Sequence, residues 1–190
     1  MPIVPKGHGM LKIRTAPDPV LNTVCEPCDP GDRSLGRIAK QMTKLMYGNS
    51  GCGIAAPQVG LNKRLIVIDV DWDGEDPGTQ NPIVLVNPEI VALEGDPVME
   101  KEGCLSCPGI SVSVTRQPFA RVSFMDLDGE EWEIEGDGLL GRCLQHEIDH
   151  LDGRTLFESS DPELKVRLLE AYDRARAMGA RPGDTSIEVS

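Results

Sequence analysis

The pentapeptide His146-Glu147-Ile148-Asp149-His150 holds the densest chemistry in this chain. On a helix, residues four apart project from one face, so the two imidazoles can ligate one metal ion. Glu147 can reach over that ion as a general base without binding it. The chain has three His residues in all, the third being His8. A further ligand is therefore a Cys or a carboxylate, unless His8 folds in. Cys104 suits the role, because a thiolate binds Zn²⁺ or Fe²⁺ strongly and three ligands leave one position for water. Two other readings stay open on the residues alone. Cys104, Cys107, His146 and His150 could close a purely structural Cys₂His₂ site, although Glu147 would then have no use. A zinc metallopeptidase of the HExxH type would draw its third ligand from downstream, from Glu158, Glu163 or Glu170. A zinc deaminase is excluded by order, since its HxE precedes its PCxxC.

The surrounding elements decide whether the pentapeptide is helical. After Gly136-Asp137-Gly138 the apolar period switches from two to 3.6, through Leu139, Leu140, Cys143, Leu144, Ile148 and Leu151. Asp137 can cap this helix and Asp152-Gly153 can end it. Upstream, Leu35, Ile38, Ala39, Met42, Leu45 and Met46 predict an amphipathic helix over 34–47. Leu65 to Val70 reads as a buried strand. Ile83 to Asn87 reads as another, stopped by Pro88, with 89–94 as an extension. Residues 111–114 and 120–127 alternate with period two, and Asp128-Gly129 turns the chain into a returning strand over 130–135. Cys104, after Gly103 at the end of a charged turn, is placed to face outward. A last helix opens at Asp161-Pro162-Glu163 and ends at Gly179. Antiparallel strands with few helices between them indicate an α+β domain rather than βαβ units. The 190 residues fit one domain, 1–190, with an extended arm over 1–12 and a loose tail over 180–190.

Composition narrows the partners. Nineteen basic against 31 acidic residues leave a net charge of −12, which opposes non-specific binding to nucleic acid or anionic lipid. The N-terminus lacks the apolar stretch of a signal peptide, and no run reaches 18 apolar residues, so a cytoplasmic protein with no membrane or DNA partner is expected. The six Cys are then thiols or metal ligands rather than a disulfide framework. The blander reading of Cys25-x-x-Cys28 is a buried pair of thiols. The crowded segment Gly51-Cys52-Gly53-Ile54-Ala55-Ala56-Pro57-Gln58 permits close backbone approach but is no phosphate loop.

Three segments in this order, Gly51 to Gln58, Glu102-Gly103-Cys104-Leu105-Ser106 and Gln145 to His150, resemble the peptide deformylases. The likeness runs from about Ile13 to Leu156, with Ile54 where the family usually has Leu and Cys107 at a position more often apolar. The resemblance implies small antiparallel or mixed sheets around a central HExxH helix, with a helix near each terminus. It implies removal of the formyl group from the N-terminal formyl-methionine of nascent polypeptides, with formate released and the ribosome as one place of encounter. One divalent metal is implied, Fe²⁺ natively and Zn²⁺, Ni²⁺ or Co²⁺ in purified protein, held by Cys104, His146 and His150. Glu147 would be the general base and acid for a metal-activated water, and Gln58 with the Leu105 N–H would hold the oxyanion. Cys52, Gly53, Leu139, Arg142 and Cys143 would contact the substrate, Arg142 only through its stem. A monomer is expected.

Overall fold

Alternation along one short strand sets the layers of the molecule. The computed structural model describes residues 9–190, so the first eight residues of the expected arm, His8 included, lie outside the described residues. Leu65 and Val67 join a core cluster with Ile38, Met42 and Met46. Ile66 and Ile68 join a different one, with Leu144, Ile148 and Leu151. Successive strand side chains point to opposite faces, so a four-residue run with no polar member is buried on both sides by two helices.

In chain order the elements are α1 (Leu35–Gly48), β1 (Gly53–Ala55), β2 (Leu65–Ile68), β3 (Ile83–Glu94), β4 (Val98–Gly103), β5 (Ile110–Arg116), β6 (Phe119–Met125), β7 (Glu131–Gly136), α2 (Gly138–Leu151), α3 (Leu156–Ser159), α4 (Lys165–Ala177) and β8 (Ile187–Val189). One sheet has the order β1-β2-β3-β6-β7 and is antiparallel throughout; the other is β4-β5-β8, with β8 parallel to β5. Helix α1 covers one face of the larger sheet and α2 the other. Arg142 ties α2 to the smaller sheet by donating to the carbonyls of Val98 (3.1 Å) and Val114 (2.6 Å). Leu168, Ala171, Tyr172 and Ala175 of α4 pack with Ile110, Val112 and Val114 of β5. The architecture is α+β, with antiparallel and mixed sheets about the HExxH helix.

The structure departs from the sequence-based expectations at several points. Strand β3 runs through Pro88 instead of stopping there, and the extension expected over 89–94 is part of it. Its pairing passes from β2 (through Val86) to β6 (from Val86 onward) across a bulge, so the missing Pro N–H costs no ladder bond at that point. Asn87 takes a positive φ of 51° there, and its amide pairs with the Cys28 backbone at 2.7 and 3.0 Å. Strand β4 forms where a charged turn was expected. It is an edge strand, mostly exposed, and its mixed charges hide the period of two. Cys104, which follows it, faces inward and is buried. Asp137 stands at the N-cap of α2 but makes no side-chain cap bond, and Leu139 is exposed rather than part of the core. The tail is not loose at its end, because β8 pairs with β5 and Val189 is buried. Cys25 and Cys28 are both buried free thiols, as expected, and burial pushes the Cys25 thiol up to about 11. Among the described residues, no helix is long and apolar enough to cross a membrane.

Gly141 sets how closely α2 can lie on the turn before β6. A Cβ there would strike the Pro118 carbonyl oxygen and approach that of Gly136 at 2.9 Å. Backbone atoms cannot swing aside, so overpacking outweighs the better helix propensity of Ala. Gly141→Ala is expected to destabilise the fold by about 1–3 kcal/mol, read as a fall in Tm of the apoprotein.

Candidate metal centre and active site

Two elements bring the ligand atoms together. His146 and His150 project from α2, and Cys104 comes from the loop that leaves β4. Among the described residues, Cys104, His146 and His150 form one group whose ligand atoms all lie within 4.8 Å of one another. Cys104 Sγ is 3.3 Å from His150 Nε2. Metal–sulfur and metal–nitrogen bonds at a tetrahedral angle put those two atoms about 3.5 Å apart, so the residues fit an ion. The hydrogen bond from Cys107, assisted by His150 and opposed by burial, holds the Cys104 thiol well below the ordinary thiol range. That favours the thiolate a metal requires. His146 Nδ1 lies 2.9 Å from Glu102 Oε2. Burial pushes the Glu102 carboxyl up, but hydrogen bonds from His146 and Arg116 outweigh it and bring the group down to about 2. An ionised carboxylate can only accept, so His146 carries its proton on Nδ1 when neutral and keeps Nε2 free for a metal.

The rival ligand sets do not assemble. Cys107 is fully buried in the cluster with Ile110, Leu156 and Tyr172 and is not in the ligand group. Glu158 is occupied at its own helix start, accepting from Thr155 N and Oγ1 at 2.8 Å each. Glu163 and Glu170 are exposed and outside the ligand group.

Glu147 is buried, and its Oε2 has no hydrogen-bond partner. Burial raises its carboxyl above the ordinary range, against the lowering effect of His146 and His150. Gly53 makes room for it, since a Cβ there would lie 2.5 Å from Glu147 Oε1 and 2.8 Å from Cys143 Sγ. Gln58 sits on a buried 3-10 turn, Ala56–Val59. Its Oε1 accepts from Ala55 N at 2.8 Å, which aims Nε2 at Ser106 Oγ (3.2 Å) and Cys104 Sγ (3.5 Å). The small residues around it are therefore packing that lets the turn approach the Cys104 loop.

A cavity of about 280 Å³ opens beside these groups, and Gln58, Leu105 and Glu147 line it. Cys52, Gly53, Leu139, Arg142 and Cys143 line it too. The sequence-predicted residues thus meet in one place, with His150 behind the wall. The Arg142 guanidinium is turned to strand carbonyls and to Glu102 Oε1 at 3.0 Å.

Sequence reasoning missed the support behind the ligands. Arg116 clasps Glu102 at 2.7 and 2.9 Å and reaches Asp149 Oδ2 at 2.9 Å. Ser159 Oγ donates to the same Asp149 oxygen at 2.8 Å. The available signal was a single Arg closing the apolar strand from Ile110. Gly183 and Thr185, in the segment read as loose tail, also line the cavity.

Known proteins resemble this chain in sequence and arrangement. A family model described as polypeptide deformylase matches residues 10–165. A peptide deformylase of Hahella chejuensis is 41% identical over 170 residues, covering 90% of this chain and 98% of that protein. The crystal structure of a peptide deformylase from Legionella pneumophila superposes with a TM-score of 0.80 at 37% identity, over 90% of this chain and 98% of that one. One from Synechococcus elongatus, in complex with actinonin, gives a TM-score of 0.80 at 39% identity, over 90% and 92%. By sequence and by structure, this chain belongs to the polypeptide deformylase family, whose members are enzymes.

Proposed function

We propose that this chain hydrolyses the formyl amide of N-terminal formyl-methionine on new polypeptides and releases formate. The observation that carries the reading is Glu147, a buried carboxylate with an unpartnered oxygen, lining one cavity with a Gln amide that is aimed at a Cys/His/His group able to hold a metal. A divalent ion held by Cys104, His146 and His150 would acidify water and offset developing negative charge. Fe²⁺ is the expected native ion, and the mixed sulfur–imidazole set also accommodates Zn²⁺, Ni²⁺ or Co²⁺.

The chain's own residues do the rest. Glu147 Oε2 accepts a proton from the attacking water, then returns it to the departing amine nitrogen. Gln58 Nε2–H and the Leu105 N–H donate to the formyl oxygen as charge gathers on it. Strand β1 is the edge of its sheet, so the peptide can lie along Cys52 and Gly53 as an added strand. The methionine side chain enters between Leu139, the Arg142 stem and Cys143. Residues 1–190 act as one catalytic domain, a cytoplasmic monomer meeting nascent chains.

Formate release from formyl-Met-Ala-Ser, assayed without oxygen in the presence of Fe²⁺, tests the reading. Absence of formate sinks it, and cleavage of internal peptide bonds would favour the metallopeptidase instead. Gln58→Ala is expected to lower kcat by on the order of 10²-fold with the metal retained, the scale of losing one oxyanion donor. Metal analysis beside steady-state kinetics separates that effect from a damaged ligand loop.

A further inference from the structure

Two thiols in the cavity wall lie outside the reaction proposed above. Cys52 precedes β1, is half-buried and lines the cavity. Cys143 stands behind it on α2, buried, one turn before His146 and Glu147. Cys143 Sγ donates to the Cys52 carbonyl oxygen at 3.6 Å, which holds the second thiol against the residue that carries the first. Gly53 permits the approach, because a Cβ there would sit 2.8 Å from Cys143 Sγ.

The six Cys differ in what can reach them. Cys25, Cys28, Cys104, Cys107 and Cys143 are buried, and Cys52 alone is partly exposed. Thiol–disulfide exchange needs an accessible attacking sulfur and, for ring closure, a second thiol within reach of the first. Cys52 supplies the first and Cys143 the second. The neighbouring Cys143 thiol, opposed by burial, also holds the Cys52 thiol below its ordinary range, which raises the fraction of attacking thiolate.

We propose that Cys52 and Cys143 form a reversible dithiol site that low-molecular-weight disulfides oxidise to an intramolecular bridge in the wall of the substrate cavity. The Cys52 thiolate attacks the small disulfide, forming a mixed disulfide and expelling one thiolate. Cys143, giving up its proton, attacks the Cys52 sulfur and expels the second small thiol. The two cysteines lose two electrons together, and the small disulfide gains them as two thiols. The bridge ties the β1 edge to α2 beside the methionine pocket. That functional consequence rests on the deformylase reading; the bridge itself does not.

The test exposes the zinc-loaded protein to oxidised glutathione, blocks free thiols and maps the peptides without reduction. A Cys52–Cys143 cross-link, reversed by dithiothreitol with zinc retained, is the expected result. Cys143→Ser should instead trap a stable glutathione adduct on Cys52. Cys52→Ala, a change at the exposed partner, should leave Cys143 unmodified, and it keeps the test usable if the buried variant does not fold. A glutathione adduct on Cys52 of the unaltered chain with Cys143 still free, or a Cys104–Cys107 bridge with loss of zinc, overturns the proposal. The same oxidised sample should show a roughly tenfold or greater rise in KM for a formyl-methionyl peptide, the scale of a methylene-sized change in an apolar pocket. An unchanged KM with the bridge mapped overturns the effect on the pocket. Absence of formate release from both forms would count against the deformylase reading and leave the mapped bridge standing.

Discussion

Glu147→Gln is expected to lower kcat by roughly 10²–10⁴-fold, the range for losing a positioned general acid–base, while metal content stays at the level of the unaltered protein. Gln keeps the shape of the side chain, so it still fits the space left by Gly53. It cannot accept the proton of the attacking water as a carboxylate does. The ligands are untouched, because Cys104, His146 and His150 form their group without Glu147. KM should move little, since in the proposed mechanism Glu147 acts on the reacting atoms and not on the methionine side chain. Loss of metal together with activity would mean that Glu147 holds the site together. Retention of normal turnover would remove it from the mechanism altogether. Glu147→Ala makes the same point by a harsher route, because it also opens a cavity beside Cys143.

Much of this site could be read from the chain because its parts are local. Two His at i,i+4 share a face whatever the tertiary structure does, and the switch from period two to 3.6 places them on a helix. Strand β2 and helix α1 were equally plain, being short runs with one dominant period. The rest of the site depends on contacts distant in sequence. Glu102 meets Arg116 through the pairing of β4 with β5 and meets His146 across 44 residues, and no local pattern reports such a meeting. β8 is three residues long, and it is ordered by pairing with β5 and by bonds such as Gly109 N to the Asp184 carbonyl (2.7 Å). Gln58 lay between. Its segment stood out for its small residues, yet the direction of its amide follows only from the Ala55 N–H that fixes Oε1.

The charge cluster around Glu102 gives the second large effect. Glu102→Ala is expected to destabilise the fold by about 3–5 kcal/mol, because it leaves buried cations without their common partner. Arg116 makes two hydrogen bonds to Glu102, and Arg142 and His146 each make a further contact. Both Arg side chains are nearly inaccessible, at 7% and 6% exposure, so water cannot substitute. The same change frees the His146 ring, and metal affinity should fall by roughly 10–100-fold, as when a carboxylate orienting a ligand His is removed. The two effects separate in a double variant. Adding Arg116→Met to Glu102→Ala removes a buried charge left with Asp149 as its one carboxylate partner, and the double variant should lose less than the sum of the single losses. It should recover none of the metal affinity, since His146 still lacks its acceptor. Denaturation of the metal-free protein and competitive metal titration measure the two quantities independently. Unchanged affinity in Glu102→Ala would show that the α2 backbone alone orients His146, and that Glu102 serves only to neutralise the two arginines.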